Sequence, residues 1–207
     1  MNAMASPSPP SPPPSDLSHP LDPNMTVRQG LADYLAENGF DVREYTAPTF
    51  RLKVLGRYFD VPNTRDRQWA IPLHDLHHVA TGYGTDFAGE AEIAAWELSG
   101  GCRTWVVYYL NLTALSLGLA IAPRRVLEAL RAARSARALY RQPLGYEEAL
   151  ALTIGELRER LGVPREGLAT RGRRLHTDAQ ERWSGESRVA EAYCPYAERP
   201  STEVRAS

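Results

Sequence analysis

The chain has 207 residues, of which 43% are hydrophobic and 24% are charged, and its formal net charge is -1. This length and composition are typical of one globular domain with or without tails. The balanced charge provides no basic excess for a nucleic-acid partner, and we expect none. Cys102 and Cys194 lie too far apart to indicate a disulfide framework or a cysteine-based zinc site, which favours a reducing, cytoplasmic setting.

The N-terminal residues 1–23 are rich in serine and proline. They carry neither the basic start nor the apolar stretch of a secretory signal. Such a composition cannot bury enough apolar surface to offset the entropy of ordering, so we expect a disordered, partly polyproline II arm. A passive tail is a simpler interpretation than a ligand for a proline-recognition module.

Helical periodicity begins after Thr26, which is a suitable N-cap, and Asn38-Gly39 is a typical helix end. The following segment, Phe40–Asn63, contains prolines and aromatics without a clear period. We expect it to be irregular, with a short helix or an extended piece near Phe50–Tyr58.

The next two predicted helices are joined by a glycine turn. The first covers Trp69–Thr81, because Pro72 is tolerated only in the first turn of a helix. Gly82-Tyr83-Gly84 then ends it. Thr85 or Asp86 caps the second helix, which we expect to reach about residue 99, where two glycines follow.

Trp105–Ala122 is strongly apolar and only 18 residues long, so a helix buried in the core is favoured over a membrane span. Pro123 opens a predicted helix to about Tyr140, whose arginines we interpret as a solvated face rather than an anion-binding or membrane-binding one. These are Arg124, Arg125, Arg131, Arg134, Arg137 and Arg141.

Another amphipathic helix is predicted over Tyr146–Leu161, and one more near Leu175–Trp183. No series of alternating strands is visible, so the fold class is mainly α. We expect a multi-helix single domain over residues 24–183, with a loose C-terminal tail over residues 184–207.

The most informative motif is His74-Asp75-Leu76-His77-His78, followed twelve residues later by Glu90. At about 100° per residue, His74, Asp75 and His78 share one face of a helix, whereas His77 falls on the other flank. The pattern therefore indicates His74 and His78 as a pair of metal ligands, with Asp75 as a third ligand or a supporting partner. The glycine turn lets Glu90, early on the next helix, face the pair.

Two imidazoles with carboxylates suit Zn²⁺, with Fe²⁺ and Mn²⁺ as alternatives. Glu97 lies on the same helical face as Glu90 and could assist or replace it, whereas Glu92 points away and is expected to be solvated. The motif differs from that of HExxH zinc proteases because Asp75 stands where those enzymes have the glutamate base. Peptidase activity is therefore disfavoured.

HDxxH followed by eleven residues and Glu resembles the signature of the coenzyme Q biosynthesis protein 4 family. Here it comprises His74–His78, Val79–Gly89 and Glu90, and the flanking residues Arg67–Leu73 and Val79–Asp86 are also similar to bacterial members. The resemblance is strongest over residues 65–98 and extends across residues 26–161.

The resemblance implies an α-helical protein of ubiquinone biosynthesis with zinc held by His74, Asp75, His78 and Glu90. It implies a lyase-type reaction, C1 decarboxylation of a polyprenylated hydroxybenzoate with C1 hydroxylation, near a membrane surface, and the helix at Trp105–Ala122 would line a groove for the prenyl tail. Other quinone-biosynthesis enzymes and a second copy are expected partners. Candidate head-group partners, suggested by sequence proximity alone, are Arg65, Arg67 and Arg103.

Two other functions remain open at this stage. The first is a non-catalytic, lipid-binding scaffold for quinone-biosynthesis enzymes. The second is a metal phosphohydrolase, because adjacent His-Asp also occurs in that class. Such hydrolases need further histidine ligands on other helices, and the only histidines outside the motif are His19 and His176.

Overall fold

The computed structural model describes residues 21–54 and 57–169, which are mainly helical, as predicted. The described elements, in chain order, are α1 Val27–Asn38, β1 Thr49–Val54, β2 Arg57–Pro62, α2 Arg65–Thr81, α3 Phe87–Gly100, α4 Trp105–Ile121, α5 Pro123–Ala132, α6 Tyr146–Ala151 and α7 Ile154–Leu161. Most of the expected N-terminal arm, the expected helix at Leu175–Trp183 and the expected C-terminal tail lie outside the described residues.

Helix α1 has the ends that the sequence predicts. The Thr26 hydroxyl accepts the N–H of Gln29, and the Gln29 side chain accepts the N–H of Thr26 in return, which satisfies two donors at the helix start. Gly39 ends the helix in a left-handed conformation at φ 66°. Chain packing begins earlier than expected, because Leu21 already packs against the core.

The segment before α2 contains a 3₁₀ turn, Val42–Tyr45, and an antiparallel hairpin of β1 and β2. The extended alternative is therefore the correct one for residues 50–54 and 57–58. The buried Asn63 amide donates to the Tyr45 and Ala47 carbonyls and accepts from Arg67, so it fixes the 3₁₀ turn against the start of α2.

Helix α2 starts earlier than predicted. Thr64 is its N-cap, and the Thr64 hydroxyl accepts the N–H of Arg67. Pro72 therefore lies inside the helix, so the prediction that placed it in the first turn was wrong. The strong cap at Thr64 and the helix-compatible residues after it extend the helix one turn upstream despite the donor lost at Pro72.

Helix α3 is buried almost all round and forms the centre of the fold. Helix α4 packs one stripe onto it, and a Cβ at Gly118 would lie 2.2 Å from the Ala91 Cβ, so the two helices approach closely. The opposite side of α4 is exposed, and Trp105 is 83% accessible. The expectation of a core helix was therefore right for one face only. Among the described residues, no helix is long and apolar enough to cross a membrane.

The helices predicted over Pro123–Tyr140 and Tyr146–Leu161 are each divided. Helix α5 ends at Ala132 and is followed by 3₁₀ turns at Ala133–Ser135 and Leu139–Arg141. The helix predicted over Tyr146–Leu161 is two helices, because Thr153 caps α7 in a reciprocal arrangement with Glu156. The 3₁₀ turn Leu139–Arg141, the second after α5, brings Tyr140 under the histidines of α2.

Candidate metal centre

The turn between α2 and α3 brings the histidines and Glu90 together. Gly82 ends α2 in a left-handed conformation at φ 77°, and the Asp86 carboxylate caps α3 by accepting the N–H of Gly89 at 2.7 Å. Gly89 packs so closely against the turn that a Cβ there would lie 2.0 Å from the Gly84 carbonyl oxygen. The chain therefore reverses tightly, and Glu90 lies in the first turn of α3 facing α2.

Three side chains converge at one point: His74, His78 and Glu90, whose ligand atoms lie within 4.8 Å of one another. The two Nε2 atoms are 3.1 Å apart, and the Glu90 carboxylate oxygens lie 3.4 Å from Nε2 of His74 and 3.6 Å from Nε2 of His78. Ligand atoms around a tetrahedral zinc ion with bonds of about 2.0–2.1 Å are separated by roughly 3.3–3.4 Å. The three donors thus have the spacing of one face of a zinc tetrahedron.

Both imidazoles are held with Nε2 pointing into the centre. Nδ1 of His74 donates to the Glu97 carboxylate at 2.9 Å, and Nδ1 of His78 donates to the Tyr83 carbonyl at 3.0 Å. Because each Nδ1 faces an acceptor, the Nε2 lone pairs face one another. Two such lone pairs repel unless a proton or a metal ion lies between them. Partners of this kind are typical of metal-binding histidines, whose rings they orient and whose basicity they raise.

Glu97 is the hub beneath the centre. Its Oε1 accepts from His74, from His77 at 2.7 Å and from the Tyr140 hydroxyl at 2.9 Å, and its Oε2 accepts from Asn111 at 2.6 Å. Burial on its own would raise the pKa of Glu97, but the positive charge of His74 and the hydrogen bonds from both histidines hold it well below its usual range. A fully buried carboxylate is thus kept ionised and satisfied on both oxygens.

The charges at the centre reinforce one another. Burial on its own would lower the pKa of His74, but the Glu97 and Glu90 carboxylates raise it well above its ordinary value. Burial would likewise raise the pKa of Glu90, but His78 and His74 lower it to about 2. The site therefore attracts a cation, and the residues present fit a divalent metal ion.

Asp75, the fourth predicted ligand, is buried beside the centre and lies outside the converging group. Its Oδ2 accepts a short hydrogen bond from the Tyr45 hydroxyl. Burial raises the pKa of Asp75, although the charge of His74 and the hydrogen bond from Tyr45 oppose the shift. The structure thus favours the second of the two roles left open for Asp75, and its role as a ligand stays a prediction.

His77 faces away from the centre, as the helical angles predict, and is completely buried. Its Nδ1 donates to Glu97, its Nε2 accepts the backbone N–H of Leu139 at 3.0 Å, and its ring contacts Trp96 and Tyr140. His77 therefore ties α2 to α3 and to the second 3₁₀ turn.

The expectation for Glu92 was wrong. Glu92 does point away from the histidines, but it is fully buried and pairs with Arg125 at 2.7 Å rather than with solvent. The reason is that α3 has almost no solvated face. Arg125 likewise departs from the solvated face predicted for the arginine-rich helix, because it also contacts Asp86 at 3.4 Å.

Two of the three suggested head-group arginines are already engaged. Arg67 is buried, donates to Asn63 and lies 3.8 Å from the centroid of the Phe50 ring. The Arg103 guanidinium lies 5.4 Å from the centroid of the Trp69 ring. Arg65 is exposed at the start of α2.

The supporting partners of the histidines were the part that sequence reasoning missed. The seven-residue spacing of Glu90 and Glu97 marked Glu97 as a candidate, but as a substitute ligand rather than as the hub. Tyr83 acts through its backbone carbonyl, which any residue carries. Asn111 and Tyr140 come from α4 and the second 3₁₀ turn, and no local pattern places them near residue 97.

The access to the centre is one-sided. His78 is fully buried, whereas the side chains of His74 and Glu90 are 19% and 17% exposed. Three protein ligands and a partly open side are typical of a catalytic rather than a structural zinc site.

Comparisons with protein-family models, curated proteins and solved structures return no match to this chain.

Proposed function

We propose that this protein is a metal-dependent lyase of ubiquinone biosynthesis that removes the C1 carboxylate of a polyprenylated hydroxybenzoate. The observation that carries the metal-dependent part is the triangle of Nε2 of His74, Nε2 of His78 and the Glu90 carboxylate. The pathway and the substrate rest on the resemblance of the HDxxH motif and Glu90 to the coenzyme Q biosynthesis protein 4 family.

In this proposal, His74 and His78 hold a divalent ion, Zn²⁺ in the first instance, through Nε2, and Glu90 holds it through a carboxylate oxygen. A bound ion of this kind supplies Lewis-acid chemistry at an oxygen of the substrate carboxylate or phenolate. Glu97 and the Tyr83 carbonyl keep both rings aligned. The exposed edges of His74 and Glu90 leave a side for the head group.

The reaction breaks the bond between ring carbon C1 and the carboxyl carbon. Carbon dioxide leaves, the electron pair stays on C1, and C1 takes up a proton from water. Where a hydroxyl group is installed at C1 instead, the balance requires a two-electron oxidant of the dioxygen class. In either case the chain's own residues position the acid group and exclude water on the buried side, where His78 lies.

The first test is the metal content of the purified protein. We expect about one zinc per chain in the wild type and His77→Gln, and loss of bound zinc in His78→Ala, because of these two histidines only His78 points Nε2 into the centre. His77→Gln is the matched control, since His77 is as buried as His78 and adjacent to it. Unchanged zinc in His78→Ala would overturn the site.

The second test addresses the pathway and the chemistry. In a strain lacking the gene, mass spectrometry of extracted lipids should show an accumulated polyprenylated ring acid. Complementation with the wild type should remove that acid, and complementation with Glu90→Ala should not. Restored quinone synthesis with Glu90→Ala would contradict the catalytic role and leave the scaffold function, whereas the absence of any accumulated ring acid would contradict the pathway.

A further inference from the structure

Helix α4 presents an exposed apolar face on the side opposite α3. Its prominent side chains include Trp105, 83% exposed, and Tyr109, 69% exposed. We call this surface the outer face of α4, defined by Trp105, Tyr109, Leu112, Ser116 and Leu119. Exposed apolar surfaces of this kind mark interaction sites in soluble proteins.

The residues of the outer face follow a heptad spacing. Trp105, Tyr109, Leu112, Ser116 and Leu119 are separated by four, three, four and three positions. This average of about 3.5 residues keeps one narrow stripe facing a neighbouring helix over the whole length of α4. A stripe of this kind suits a partner helix that lies along α4.

The outer face carries no ionised group, and its Ser116 hydroxyl is satisfied within the helix. Residues 105–121 contain no Asp, Glu, Lys or Arg. The Thr113 and Ser116 hydroxyls donate to the Tyr109 and Leu112 carbonyls one turn earlier, at 2.9 and 2.7 Å. Two copies of this face can therefore meet without burying like charges.

The outer face is also graded in size along the helix. Its N-terminal end carries Trp105, Tyr108 and Tyr109. The Trp105 and Tyr108 rings meet edge to face, with their centroids 5.9 Å apart. Its C-terminal half carries smaller residues, including Ser116. An antiparallel arrangement of two copies places the aromatic end of each against the smaller end of the other, whereas a parallel arrangement would place large against large.

We infer that the chain forms a homodimer in which the outer face of α4 packs antiparallel against the same face of a second copy, across a two-fold axis near Leu112. This interface is isologous, the commonest kind in homodimers. With Leu112 at the axis, Trp105 of one copy lies opposite Leu119 of the other, and Tyr109 lies opposite Ser116.

The exposed area is consistent with a stable dimer. With roughly 150–250 Å² offered by each aromatic side chain, the exposed fractions of Trp105, Tyr108 and Tyr109 provide about 400 Å². This is about half of the ~800 Å² per partner of a standard interface. Leu112 and Leu119, each more than 40% exposed, add to it.

The test is sedimentation of the full chain over a concentration series. The wild type should sediment at twice the mass of the chain, and Leu112→Glu should raise the dissociation constant about 100-fold or more, because two carboxylates would meet at the axis. Val42→Glu is the matched control, since Val42 is 51% exposed and is distant from α4 along the chain. This variant should remain a dimer. Circular dichroism and urea unfolding verify that both variants fold.

Disulfide cross-linking tests the direction of packing, on a background in which Cys102 and Cys194 are replaced by serine. Leu112→Cys should link to itself, and Trp105→Cys should link to Leu119→Cys but not to itself. A monomer at all concentrations would overturn the inference, and binding of that monomer to phosphatidylglycerol vesicles through Leu112 would assign the face to lipid instead. Self-linking at Trp105→Cys would overturn the antiparallel arrangement. None of these outcomes depends on the metal centre or on the substrate.

Discussion

At the scale of single residues, Glu97 supports the metal centre from outside the motif that indicates it. Glu97 accepts four hydrogen bonds, one of which comes from the predicted ligand His74. Supporting partners of metal-bound histidines commonly contribute 10–100-fold to metal affinity. The HDxxH motif with Glu90 therefore specifies the donors, and Glu97 specifies their alignment.

Glu97→Gln tests this role. The amide nitrogen would face donors rather than acceptors, so we expect zinc affinity to fall about 10–100-fold and the free energy of unfolding to fall by about 1–3 kcal/mol. Zinc competition titration and urea unfolding measure the two effects. Glu92→Gln, equally buried on the same helix but paired with Arg125, should lose stability and keep its zinc affinity. Equal zinc affinity in wild type and Glu97→Gln would contradict the hub role.

Residue-level prediction from the sequence worked where one helix decides the geometry. The angles of α2 put His74 and His78 together and His77 apart because all three belong to one rigid element. The same reasoning predicted that Glu92 points away from the histidines, but not that it is buried, since α5 lies on that side. Asn111 and Tyr140 could not be predicted at all, because only tertiary packing brings them to Glu97.

At the scale of elements, the tight reversal between α2 and α3 places Glu90 over the histidines. Gly89 is the contact point, because its backbone lies against the Gly84 carbonyl. Gly89→Ala would push the start of α3 away from the turn. We expect a loss of about 1–3 kcal/mol in urea unfolding, as for other overpacked sites, together with weaker zinc binding.

Gly84→Ala is the control for that change. A Cβ at Gly84 would meet its nearest neighbour, Asp86 Oδ1, at an ordinary 3.5 Å. It should therefore change zinc affinity little. If Gly89→Ala bound zinc as the wild type does, the close approach would not be what positions Glu90.

The elements that sequence reasoning misjudged share one physical cause. Local capping signals were stronger than the periodicity on which the predictions relied: Thr64 extends α2 past Pro72, and Thr153 divides the predicted helix Tyr146–Leu161. The apolar composition of α4 did not show which of its faces is buried. One stripe packs on α3, and the outer face is exposed. Helix starts and buried faces were thus predictable only where caps and periodicity agreed.

At the scale of the whole molecule, the centre joins the principal elements of the fold. Its donors come from α2 and α3, and the hub Glu97 connects them to α4 and to the second 3₁₀ turn through Asn111 and Tyr140. A metal ion that binds the folded state therefore stabilises the entire helical domain rather than one loop.

Thermal unfolding measures this coupling. Free zinc at 100 times its dissociation constant should add about 2.7 kcal/mol, which for a domain of this size raises Tm by roughly 5–10 °C. His78→Ala should show no such rise, whereas His77→Gln should start from a lower Tm and still rise. An equal shift in His78→Ala would mean that zinc stabilises the chain from another site.

The most direct measurement is anomalous X-ray diffraction from crystals of the zinc-loaded protein. We predict one zinc peak per chain at about 2.0–2.1 Å from Nε2 of His74, Nε2 of His78 and a carboxylate oxygen of Glu90, with a further position left to solvent or substrate. Stoichiometric zinc at any other place, or no bound zinc at a free concentration that saturates ordinary catalytic zinc sites, would contradict the proposed centre.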